Sequence, residues 1–256
     1  MNSSISPLPD ERLDIINENL SLLQLKEGLT FGTDAYLLAA FTRPGRTAGA
    51  DLGSGTGVAS FLCLVKNKLP HMHAFEIQPR FAALIQKNAA LNSLSDKITV
   101  HEKDIRNAVP EDTGGWIGSV ISNPPYMKEN CGFTNASDAK NIARREVYGN
   151  IEDFCRAAAR LLKHGGFFTV VYRPDRLSDL FRALNVSGLE PKRIVLVYPD
   201  TASSPSLALV EAKKGAASSL VWARPLIIYQ TGTRTYTEDM DRVYDSCSMD
   251  FLFEGK

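Results

Sequence analysis

Residues 51–57 read DLGSGTG, between a short apolar stretch, AGADLG, and a run with helical spacing, TGVASFLCLVKNK, that closes before Pro70. Glycines at a strand-to-helix turn let the backbone bend tightly and approach a ligand with no Cβ in the way. In dinucleotide binders the same spacing leaves backbone N–H groups and a helix N-terminus to hold a pyrophosphate. Such a loop suits more than one ligand, and its flanks decide the fold around it.

Downstream, the pattern of strand, turn and helix repeats. HMHAFEI and KITVHEKD read as the second and third strands and WIGSVISN as the fourth. PRFAALIQKNAALNSL is a helix with Pro79 in its first turn and apolar residues at i, i+3 and i+4. IEDFCRAAARLLKHGG reads as an amphipathic helix ended by glycine, FFTVVY as the fifth strand and DRLSDLFRALNVSG as a further helix. KRIVLVYP and SLALVEAKKG are the last two strands, and PDTASSPS between them is too short for a helical crossover, so that pair is antiparallel. The expected class is α/β, a mostly parallel seven-stranded sheet with one antiparallel strand and helices on both faces. Upstream, RLDIINENLSLLQLKEGLTF suits a β-hairpin, and DAYLLAAF a helix with Asp34 as its N-cap. After Ala217, a strand-like VWARPLIIYQ and a short helix, EDMDRVYDS, complete the chain.

Composition narrows the function classes. Over 256 residues, 44% are apolar and 23% charged, enough for a sizeable core. No apolar run approaches the roughly 20 residues needed to cross a bilayer, and MNSSISPLPDER lacks the basic-then-apolar pattern of a signal peptide, so a cytoplasmic protein is expected. Cys63, Cys131, Cys155 and Cys247 are scattered, which favours reduced thiols over a zinc site or disulfides, and His71 and His73 read as structural. Net charge is zero, yet residues 127–198 hold twelve Lys/Arg against eight Asp/Glu. That local excess fits either a solvated face or a rim that contacts phosphates.

Strand ends carry the chemistry. Glu76 closes the second strand, 25 residues after Asp51, where a carboxylate can accept both hydrogen bonds of a ribose diol. Asp104 closes the third strand in HEKDIRN, and Asn123 the fourth in SNPPYMKEN. Two prolines stiffen that last loop, which presents one carboxamide and one aromatic ring. In an open α/β sheet, ligands bind outside the carboxyl ends of the strands, so DLGSGTG, Glu76, Asp104 and Asn123 converge.

In this order the residues resemble the class I S-adenosylmethionine-dependent methyltransferases that modify planar amino groups. FGTDAYLLAAF, ARREVYGNIEDF and the RPLIIYQ tail resemble the bacterial valine-tRNA adenine-N6-methyltransferases, from about Arg12 to Tyr244. The resemblance implies a Rossmann-like methyltransferase domain over residues 34–256 behind a hairpin extension over 1–33. It implies S-adenosylmethionine as cofactor, S-adenosylhomocysteine as product, no metal, a tRNA substrate and no obligate protein partner. Gly53, Gly55 and Gly57 would pass under the methionine part, with Asp51 steering its amino group and Thr33 and Asp34 lining that end. Glu76 would hold the ribose and Asp104 the adenine amine. Asn123, Pro124 and Tyr126 would be catalytic, with Pro125 and Tyr126 against the target base and Arg144 and Arg145 on phosphates. Ion pairs with Glu146 and Glu152 are the alternative for those two arginines. NPPY also occurs in methyltransferases acting on release-factor glutamine, and the rRNA guanine-N2 enzymes are a further alternative.

Overall fold

The computed structural model describes residues 6–26, 32–125 and 149–254. Its elements in chain order are β1 (Glu11–Asn17), β2 (Leu20–Leu25), α1 (Thr33–Phe41), β3 (Gly49–Leu52), α2 (Val58–Val65), β4 (Met72–Glu76), α3 (Pro79–Leu91), β5 (Ile98–Glu102) and β6 (Ile117–Ser122). After residue 149 come α4 (Ile151–Leu161), β7 (Leu162–Tyr172), α5 (Leu177–Val186), β8 (Leu189–Tyr198), β9 (Leu207–Lys214), β10 (Val221–Trp222), β11 (Leu226–Ile227) and α6 (Glu238–Ser246).

The main sheet runs β10-β8-β9-β7-β6-β3-β4-β5, with β11 also on β8. All pairs are parallel except those of β9, which is antiparallel to both β7 and β8. The seven expected strands are therefore present with the expected reversal, and two two-residue strands extend the β8 edge. Alternate residues point to opposite faces, and each face has its own core. Ile121 and Val171 pack with Leu38, Phe61 and Val243 on one side, and Val120 and Val170 with Phe154, Leu161 and Leu184 on the other.

β1 and β2 form a separate two-stranded sheet that docks on α3. Apolar contact comes from Leu23 and Leu25 against Phe81, Leu84 and Leu91. Polar contact is unusually regular. The Asn88 amide accepts from the Leu23 N–H at 2.7 Å and donates to its carbonyl at 3.0 Å. One helical turn later, Asn92 makes the same pair of bonds to Ser21, at 3.1 and 2.7 Å. Residues i and i+4 of a helix rise about 6 Å, close to the i, i+2 step of a strand, so two amides fit one strand edge.

Two local expectations are corrected. Asp34 is not the N-cap: α1 starts at Thr33 after an extended Gly32, which puts Asp34 in the first turn, where its charge complements the helix dipole. Nor does glycine end α4, because Leu162 turns extended and pairs with Ile117 at the start of β7. Gly165, with φ of 78°, falls instead within the irregular register that separates the Leu162 and Phe167 pairings. Strand pairing overrides the glycine stop signal here. Among the described residues, no helix is long and apolar enough to cross a membrane.

Candidate active site

β3, β4 and β5 step outward in one direction, and the chain then returns to place β6 on the other side of β3. Loops on either side of such a reversal diverge and leave a crevice at the carboxyl ends of the strands. Leu52 is in register with both Phe75 and Ser122, so Gly53, Glu76 and Asn123 are the next residues on three adjacent strands. The buried Ser122 hydroxyl donates to the Leu52 carbonyl oxygen at 2.7 Å and ties the ends of β6 and β3 together. Asn123 is half-buried, Pro124 buried and Pro125 exposed. Asp104 lies two residues beyond Glu102, the register partner of Glu76.

The glycine loop is held mostly by backbone. N–H groups of Gly53 and Ser54 both donate to the Phe75 carbonyl, at 2.9 and 3.0 Å, and the Gly57 N–H donates to the Ser54 carbonyl at 2.8 Å. Gly53, Gly55 and Gly57 have φ of 70°, 54° and 81°. At Gly57 an added Cβ would come within 2.9 Å of Phe61 and 3.2 Å of Ile85, so this position is closed by packing as well as by conformation. Gly55 differs: a Cβ there would stand in open space, on the outer surface of the bend. Its N–H donates to Glu76 Oε2 at 2.8 Å, while Glu76 Oε1 accepts from the Gln78 N–H at 2.9 Å.

Two acids are sealed beside this loop. Asp51 Oδ2 accepts from the Ser60 hydroxyl at 2.8 Å, and burial pushes the Asp51 carboxyl up to about 7 against the pull of that hydrogen bond, with Glu76 adding to the rise. Burial also raises Glu76, offset by the Gln78 and Gly55 N–H groups. Asp104 goes the other way, held below the usual carboxylate range by the Arg106 guanidinium.

Thr33 and Asp34 open α1, whose far end is anchored by a lysine. The buried Lys68 Nζ, in the loop before β4, donates to the carbonyls of Ala39, Ala40 and Thr42 at 2.7 to 2.8 Å. α1 thus ends where α2 ends, at the amino edge of the sheet, and its first turn points toward the carboxyl edge. Tyr126, Arg144 and Arg145 lie outside the described residues. Glu152, an alternative partner for those arginines, is 3.5 Å from Arg156. His73 on β4 and His101 on β5 are neighbours, His73 Nδ1 3.1 Å from His101 Nε2, with His71 just before β4 and His164 on β7, and the described residues contain no cluster of three or more metal-ligating side chains.

Sequence reading missed three residues that shape this edge. Ser122 locks β6 to β3. Ser60, one turn into α2, bonds Asp51. Arg160 in α4 donates to the carbonyls of Ala108, Ile105 and Arg106, at 2.5, 3.0 and 3.0 Å, and so fixes the turn that follows Asp104. A serine at a strand end or an arginine on a helix carries no signal of such a partner.

Residues 26–187 match the model of the methyltransferase small domain, well over half of the chain. The chain belongs to that family. A tRNA1(Val) (adenine(37)-N6)-methyltransferase of Citrobacter koseri is 31% identical over 152 residues, 59% of this chain and 60% of the relative. The enzyme of the same name in Phocaeicola vulgatus is 26% identical over 183 residues, 71% of this chain and 76% of the relative. The chain therefore spans about 60% of the length of the first of these relatives. A crystal structure from Agrobacterium tumefaciens, described as a predicted O-methyltransferase, superposes with a TM-score of 0.66 at 25% identity, covering 84% of this chain and 97% of the other. The fold is the Rossmann-like class I methyltransferase fold.

Proposed function

We propose that the chain is an S-adenosylmethionine-dependent N-methyltransferase acting on N6 of an adenine in a tRNA loop, the anticodon-loop adenine of a valine tRNA being the favoured substrate. The observation that carries the reading is the Ser122–Leu52 hydrogen bond, which holds Asn123 and Pro124 beside the glycine bend across the β3–β6 crevice. Relatives named for this tRNA modification support the choice of substrate.

The residues present fit the cofactor. Gly55 leaves its outer surface open to the methionine part, which Gly53 and Gly57 allow by bending the chain on either side. Asp51 would offer an acceptor for the amino group, with Thr33 and Asp34 lining that end. Glu76 keeps lone pairs for ribose hydroxyls beyond the two N–H groups it already accepts, and Asp104 would take the adenine amine. When bound, the cofactor supplies an electrophilic methyl on a sulfonium.

An adenine amine is a poor nucleophile because its lone pair is delocalised into the ring. The Asn123 side-chain oxygen and the Pro124 carbonyl are acceptors for its two N–H bonds. Accepting both favours a pyramidal nitrogen whose lone pair faces the glycine bend. Tyr126 would stack on the base, a contact worth roughly 1–3 kcal/mol, with Pro125 beside it and Arg144 and Arg145 on the flanking phosphates. The role of the chain is positional and electrostatic, and the target proton leaves to water after methyl transfer. A base reached in this way must leave its stack, which costs least in an RNA loop.

The test is incubation with labelled S-adenosylmethionine and unmodified tRNA, or unmodified release factor, followed by digestion. N6-methyladenosine in tRNA, reduced about 100- to 1,000-fold by Asn123→Ala, is expected. Labelled glutamine would replace this reading with the protein substrate, and undiminished turnover in the variant would end the proposed role of Asn123.

A further inference from the structure

The acid assigned to the cofactor's adenine already has both oxygens engaged. An ionised carboxylate offers about four acceptor sites. At Asp104, Oδ1 accepts from the Arg106 backbone N–H at 2.8 Å and from Arg106 Nε at 3.0 Å. Oδ2 accepts from Nε at 2.8 Å and from Nη2 at 2.5 Å. These contacts come from three N–H groups of one residue, two of them on its side chain, with the Nε–H shared between both oxygens. We infer that Arg106 sets the cofactor affinity of this site, because its guanidinium bonds both carboxylate oxygens and competes there with the adenine amine, yielding one oxygen on binding. The inference rests on the reading above, in which Asp104 takes that amine.

Geometry makes the exchange feasible and the test clean. Both side chains are partly exposed, at 39% for Arg106 and 20% for Asp104, so a displaced guanidinium can turn to water. An exposed ion pair of this kind is weak, which limits its hold on Asp104 to a few-fold in affinity. The turn itself does not depend on the guanidinium. Arg160 holds the carbonyls of Ile105, Arg106 and Ala108, and the backbone N–H of residue 106 still caps onto Asp104 when the side chain is shortened.

Calorimetric titration of the full chain with S-adenosylhomocysteine, and with its analogue lacking the 6-amino group, tests the inference. Arg106→Ala is expected to tighten S-adenosylhomocysteine about threefold and to leave the affinity for the deaminated analogue unchanged. Unchanged or weaker S-adenosylhomocysteine binding in Arg106→Ala overturns the inference alone, as does an equal shift for both ligands. Absence of any binding by the unsubstituted chain overturns the cofactor reading and the inference with it.

Discussion

Glu211 in β9 and Asp51 in β3 are acids buried in the same sheet and treated in opposite ways. Glu211 is gripped by two cations: Arg193 bonds both its oxygens at 2.9 Å, and Arg43 Nε lies 2.9 Å from each. Arg193 itself packs against the stacked rings of Phe41 and Phe253, at 4.9 and 5.1 Å, and reaches Asp250 at 2.8 Å. Asp51 and its neighbour Glu76 are ion-paired with no cation among the described residues and accept instead from Ser60, Gly55 and Gln78. A buried acid with ideal cationic partners joins elements. One that receives only a hydroxyl or backbone donors is left without a counter-charge, and its carboxyl is pushed up.

The sharpest way to break this contrast is Glu211→Ala, which leaves Arg193 buried without its main partner. A loss of about 3–5 kcal/mol is expected in denaturant unfolding, and a loss below 1 kcal/mol would mean that the β8–β9 clamp joins nothing. A smaller, pH-dependent effect is expected for Asp51. Its folded value is raised, so the proton it holds favours the fold below the unfolded value of 3.8, and that advantage is lost as pH rises to about 7. Between pH 5 and pH 8 this acid should cost the chain on the order of 2 kcal/mol, at about 1.4 kcal/mol per unit. Asp51→Asn should remove that slope in thermal melts, and a slope that survives would assign it to other groups. Smallest is Ser60→Ala. Losing the hydroxyl that lowers Asp51 should move the midpoint of the melting profile to higher pH and cost about 1 kcal/mol; a midpoint moving down would reverse the account of the pair.

Much of this site was legible because it is written in backbone chemistry. The three positive φ values of DLGSGTG need glycine, and the prolines after Asn123 fix a loop, so both announce themselves in sequence. The reversed strand followed from loop length. What stayed hidden depends on register. Ser122 finds Leu52 only because β6 and β3 align in one way, and Arg160 finds the turn at 105–108 only because α4 crosses beneath it. The Asp34 cap and the glycine end of α4 failed for a related reason, since local signals were outweighed by strand pairing and helix start.

The amide ladder on α3 has a consequence of its own. An open strand border is a template for stray association between chains. By lending Asn88 and Asn92 to Leu23 and Ser21, a helix seals the inner border of β2 as a further strand would. The hairpin thereby gains a fixed seat without lengthening the main sheet, and the backbone of Ser21 and Leu23 is matched from within the same chain.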